Sequence, residues 1–172
     1  GANCKHQAPR SALDCGAFKQ ARNKFKQSVE SAIEREDFWG AIALLKLNQE
    51  LIGSHGIDLT EDAAFNDLSG FQEACNLDIE LSNLYTELKE IALEDQAKWH
   101  FPALRIKEKL DGLASNFLTL TYKINRLRSR AMFLAGDTKA AHEIQLKLVR
   151  DSDQSLIDHG FLLQDHSLLI QF

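Results

Sequence analysis

IKEKLDGLASNFLTLTYKINRLRSRAMFL, residues 106–134, decides the reading of the fold. Its apolar residues Ile106, Leu110, Leu113, Phe117, Leu120, Ile124, Leu127, Ala131 and Leu134 are separated by steps that alternate between 4 and 3. An α-helix turns once every 3.6 residues, so this alternation places all nine side chains on one stripe. At 1.5 Å per residue the stretch predicts a single rod about 45–50 Å long. A second run, Leu77, Leu81, Leu84, Leu88 and Ile91, has the same alternating steps and predicts a partner helix. His100-Phe101-Pro102 lies between them as a short reversal, with proline suited to the first turn of the helix that follows.

Working outward, Thr60 is placed to cap the helix that leads into the second run, with Glu61 and Asp62 in its first turn. Ala64, Leu68, Phe71 and Cys75 form its first apolar face, the phase shifts between Cys75 and Leu77, and the helix is predicted to run toward Trp99. Upstream, residues 1–13 read as an irregular arm. Phe18, Ala21, Phe25, Val29 and Ala32 or Ile33 predict a helix over 15–35, capped by Ser11 or Asp14. Phe38, Ala41, Leu45, Asn48 and Ile52 predict another, after a tight bend at Arg35–Asp37, and Gly53-Ser54-His55-Gly56 ends it. Downstream, Gly136 stops the organising helix and Asp137 or Thr138 caps the next, which carries Ala141, Ile144 and Leu148. Gly136 and Ala141 resemble a tetratricopeptide-type hairpin. The aromatic and proline positions of such a repeat are not met, and no second copy follows at a period of about 34, so no family is recognised. The apolar tail Phe161–Phe172 is expected either to dock or to associate.

The predicted fold class is therefore all-α: an elongated antiparallel helical bundle with two or three long helices and a smaller amino-terminal helical hairpin. Residues 1–172 are taken as one domain, with an amino-terminal subregion 15–54 packed on a long-helix bundle 60–172. Composition agrees: 44% apolar residues supply a core, while only two prolines and nine glycines leave long helical windows. No apolar run reaches the roughly 18 residues of a membrane span. No signal segment is visible, so the chain is either cytoplasmic or exported after removal of one, and the sequence does not choose.

The net charge of −5 conceals a segregation. Residues 58–96 hold eleven acids and one base, whereas 103–135 hold seven bases and two acids. Opposed segments of this kind predict pairing of the two helices, setting orientation more than stability, since exposed ion pairs contribute about 0–1 kcal/mol. Lys123, Arg126 and Arg130 have helical spacing and form a stripe of partner-facing charge. The acidic neighbour argues against nucleic acid, which calls for a broad exposed basic surface.

Local chemistry is sparse. Cys4 and Cys15 lie close enough in sequence for a disulfide in an oxidising compartment; three unrelated reduced thiols, or a Cys4, His6 and Cys15 metal set, are the alternatives. Cys75 falls on an apolar face and reads as a buried thiol. His6, His55, His100, His142, His159 and His166 show no HExxH or i,i+4 pairing, so no metal site is predicted. There is no GxSxG elbow, phosphate-binding glycine loop or dinucleotide fingerprint, and no catalytic residue or cofactor is expected. Trp39 and Trp99 are core or edge anchors, or walls of a pocket. The expectation is a non-enzymatic helical protein-protein interaction or assembly module, an adaptor or secreted factor, with a protein partner or self-association. The alternative is a sensor-like bundle holding a small ligand between helices near Cys75–Leu77.

Overall fold

The computed structural model describes residues 9–60 and 69–151. Over them the chain is all-helical: α1 (Pro9–Glu34), α2 (Phe38–His55), α3 (Ser69–Leu93), α4 (His100–Asp111), α5 (Leu118–Leu134) and α6 (Thr138–Asp151), with no strand among the described residues. No described helix is long and apolar enough to cross a membrane. The chain divides into two compact units, one ending at Glu73 and one beginning at Ala74.

In the first unit α1 starts at Pro9, earlier than the expected residue 15, because proline is tolerated in a first turn where its missing N–H has no partner to lose. Phe25, Val29 and Leu45 close the α1–α2 interface, and Ile33, Leu44, Leu59 and Phe71 pack around them. The bend expected at Arg35–Asp37 is a tight turn with Glu36 at φ 53°. Asp37 caps α2 by accepting the Gly40 N–H at 2.9 Å. A Cβ at residue 40 would collide with that carboxylate, so glycine is what leaves room for the cap. Gly56 closes α2 at φ 64°, where its N–H reaches the Ile52 carbonyl. The first turns expected after the Thr60 cap, residues 61–68, lie outside the described residues; the rest of that helix is α3, and Thr60 itself is buried.

A polar clasp secures the segment after α2. Asn48, 1% exposed, accepts the Leu59 N–H at 2.7 Å and donates to Asp58 Oδ1 at 3.0 Å. The same Asp58 oxygen accepts from the Thr60 N–H and hydroxyl, and the Asp58 carbonyl accepts from Arg22 of α1. A buried amide on an otherwise apolar face thus has both of its ends engaged, as burial requires.

In the second unit the single rod predicted over 106–134 is replaced by two helices. The chain leaves α4 at Asp111 and re-enters at Leu118. Gly112 is a weak helix former, and Ser115 offers the backbone an alternative. Its hydroxyl accepts the Phe117 N–H at 3.1 Å, and its carbonyl accepts the Thr121 hydroxyl at 3.0 Å. Both helices present the stripe to a common interior: Ile106, Leu110, Leu120, Ile124, Leu127, Ala131 and Leu134 are buried, whereas Leu113 and Phe117, at the turn, are only half-buried. The helix predicted to reach Trp99 also stops early, at Leu93. Asp95 opens a short 3-10 turn over Gln96–Lys98, and the Trp99 indole donates to the Glu94 carbonyl at 2.9 Å. Leu81, Leu84 and Leu88 are the buried centre of α3, with Leu77 and Ile91 half-buried at either end.

The turn between α5 and α6 reproduces the α1–α2 turn, each residue number larger by 100. Gly136, at φ 95°, stands where Glu36 does, and Asp137 caps α6 through the Ala140 N–H at 3.0 Å. The Asp37 N–H to Ala32 carbonyl bond of 2.8 Å matches the Asp137 N–H to Met132 carbonyl bond of 2.9 Å. Ser129, where the first hairpin has Val29, donates its hydroxyl to the Ala141 carbonyl at 2.8 Å. Gln145 occupies the place of Leu45. It is 0% exposed, and neither amide atom has a hydrogen-bond partner. An unsatisfied buried amide costs about 1–3 kcal/mol. Gln145→Leu is therefore expected to stabilise the chain by about 1–2 kcal/mol, seen as a higher urea midpoint with an unchanged slope; a loss would mean the amide is satisfied in solution.

Candidate functional site

Two helices of the second unit leave a groove of about 250 Å³, lined by Asp78, Leu81, Ser82 and Tyr85 of α3 and Lys123, Arg126 and Leu127 of α5. On α3 these residues fall at i, i+3, i+4 and i+7, which is one helical face. Leu81 and Leu127 are buried and form the floor. Tyr85 is 40% exposed on the wall.

The charges of α5 divide by what holds them. The Lys123 ammonium meets Asp78 at 2.6 Å, so the expected pairing of acidic and basic segments occurs here. Lys109 of α4 meets Glu87 of α3 at 3.8 Å. Arg128 reaches the end of α4: its Nε donates to Asp111 at 2.9 Å and a terminal nitrogen donates to the Leu110 carbonyl at 3.2 Å, satisfying a group that the helix end leaves open. Arg126 and Arg130 lie one turn apart on the same helix and are half-buried. Burial, foremost, and the neighbouring Arg130 draw the Arg126 guanidinium below its ordinary range, with Tyr85 acting in the opposite sense. Arg130 Nε is buried without a hydrogen-bond partner.

Asp111 sits between Lys107 at 2.7 Å and Arg128 at 2.9 Å. The Lys107 hydrogen bond first, then the charges of Lys107 and Arg128, hold its carboxyl below the ordinary 3.8 against an opposing effect of burial. A depressed folded-state value stabilises the fold above the unfolded value and is lost as pH falls through the folded one. Asp111→Asn is therefore expected to flatten the acid limb of the stability–pH curve below about pH 4. Because Asp111 is 40% exposed, the change at neutral pH should stay under about 1 kcal/mol. Parallel thermal scans of the two proteins from acid to neutral pH measure it.

Of the residues singled out in the sequence, the structure brings Lys123 and Arg126 into this groove and leaves Arg130 one turn beyond it. Neither tryptophan lines it: Trp39 is in the first unit and exposed, and Trp99 is engaged at the start of α4. The groove begins beyond the Cys75–Leu77 phase change rather than at it. Cys75 is buried and in no disulfide. Cys4, His6, the Cys15 side chain, His159, His166 and the Phe161–Phe172 tail lie outside the described residues. Among the described residues no group of three His, Cys, Asp or Glu side chains is placed to hold a metal. Asp78, Ser82 and Tyr85 were not anticipated as groove residues, although Leu81 belongs to the 4-3 run of α3 and the other three sit beside it.

The Ser82 hydroxyl donates to the Asp78 carbonyl at 2.9 Å, and no histidine lines the groove. What the site offers is apolar contact beside a Lys123–Asp78 ion pair and the Arg126 guanidinium. Compared with protein-family models, with curated proteins and with solved structures, the chain matches none.

Proposed function

We propose that the chain is a non-enzymatic helical module for protein-protein interaction or assembly, and that the α3–α5 groove is where a partner segment docks. The observation that carries this is the combination of a buried leucine floor, an exposed tyrosine wall and a half-buried arginine in one groove. Aromatic and arginine side chains at a partly desolvated site are the groups that most often dominate protein interfaces. The small-ligand alternative draws on the same groove, but its volume of about 250 Å³ falls below the ~300–1,000 Å³ usual for drug-sized ligands.

The test pairs light scattering over a wide concentration range with capture of partners on the immobilised chain, each repeated with Tyr85→Ala. A self-associated mass or a captured protein that Tyr85→Ala loses, with helicity retained, supports the proposal. A monomer at all concentrations that captures nothing sinks it.

A further inference from the structure

We propose that the α3–α5 groove is occupied, when no partner holds it, by the chain's own segment after α6, with Phe161-Leu162-Leu163 laid on Leu81, Tyr85 and Leu127. For its consequence, that a partner must first displace this segment, it rests on the docking role above.

Three observations bring the segment to this groove. The first is where α6 delivers the chain. α5 and α6 form a tight hairpin, bridged by the Ser129 hydroxyl on the Ala141 carbonyl. Lys123 lies 13 residues before Gly136, and Asp151, which ends α6, lies 14 after Asp137. At 1.5 Å per residue both stand about 20 Å from the turn, so α6 ends level with the Lys123–Asp78 end of the groove. The second is reach. Nine residues, 152–160, separate α6 from Phe161. Extended they span up to about 30 Å, against the roughly 10 Å diameter of the one helix, α5, that has to be passed. The third is chemistry. Phe161–Phe172 holds seven apolar residues in twelve, and side chains in that number call for an apolar surface to cover them. Residues 152–172 also carry Asp153, Asp158 and Asp165 and no lysine or arginine, while α5 carries four bases and no acid. Opposed net charges draw the segment along α5, rather than along acidic α3, without requiring any one ion pair. Attachment to the same chain gives it an effective concentration of about millimolar, well above that of a second copy in dilute solution.

The first arm of the experiment places a photo-cross-linker in the full chain, Leu162→p-benzoylphenylalanine, and maps the products of irradiation by mass spectrometry. Cross-links within a single chain to residues 78–85 or 123–127 are expected. Cross-links that join two chains, or that land elsewhere on the same chain, overturn the proposal. The second arm follows a labelled peptide of residues 158–172 by fluorescence anisotropy. A chain carrying Phe161→Ser, Leu162→Ser and Leu163→Ser, its groove vacated, should bind the peptide about tenfold or more tighter than the parent. Adding Tyr85→Ala should remove that gain, with circular dichroism matching the parent throughout. Equal binding by the parent and the triple variant overturns the proposal. Cross-links outside the groove, with a partner captured by the parent and lost in Tyr85→Ala, overturn the segment and leave the docking role intact. Cross-links in the groove, with capture untouched by Tyr85→Ala, sink the docking role and leave the segment in place.

Discussion

Leu120→Ala is expected to lower the unfolding free energy by about 2–5 kcal/mol, and Leu113→Ala by clearly less. In a continuous rod the two leucines, seven residues apart on one stripe, would be equivalent and would be penalised alike. The structure makes them different. Leu120 is 0% exposed in the first turn of α5, while Leu113 lies half-buried in the turn that joins α4 to α5. Truncating Leu120 removes its burial and leaves a cavity that helices on both sides cannot easily close. Truncating Leu113 removes contacts that the turn can partly replace with water. Urea unfolding of both variants measures the difference. Equal losses would mean that residues 112–117 are helical in solution and that α4 and α5 are one element.

The same region shows what the sequence could and could not disclose. Spacing of apolar residues records which side chains face an interior; it does not record whether the backbone between them is continuous. The turn at 112–117 returns the chain to the stripe in phase, so the 4-3 steps pass through it unchanged. The countersignal was present in Gly112, Ser115 and Asn116, three weak helix formers close together, but the length of the periodic run outweighed it. The α5–α6 turn was legible because Gly136 and Asp137 are local devices, each acting within a few residues of itself, and the α1–α2 bend because the apolar pattern changes phase at Arg35–Asp37. That the two turns share one geometry was hidden, since one carries glutamate and the other glycine at the positive-φ position. For the groove, Lys123, Arg126 and Arg130 were visible as a stripe on one helix. Their neighbours Asp78, Leu81 and Tyr85 depend on the register between α3 and α5, which neither helix encodes alone.

Asn48→Ala is expected to cost about 2–3 kcal/mol, more than its small side chain suggests, because the amide works on two groups at once. Its position on the apolar face of α2 was plain from spacing, but its partners come from the loop ten and eleven residues later. Removing it strands the Leu59 N–H, which now bonds at 2.7 Å, and takes one donor from Asp58 Oδ1. A buried donor left unsatisfied costs about 1–3 kcal/mol, and the vacated volume adds to that. Asn48→Asp separates the two contributions. It keeps an oxygen for the Leu59 N–H but replaces the donor facing Asp58 with a second acceptor, setting two carboxylates where a 3.0 Å hydrogen bond stood. Like charges that close raise the pKa of the pair, so Asn48→Asp should be destabilised at neutral pH and recover as acid protonates one of the two. Denaturant unfolding at neutral and acid pH, with amide exchange at Leu59, checks both variants. Loss of Leu59 protection in Asn48→Ala and its retention in Asn48→Asp at acid pH would show that the clasp is held by the hydrogen bonds and not by packing alone. Unchanged protection in Asn48→Ala would show that apolar contacts from Leu59 to the α1–α2 core suffice.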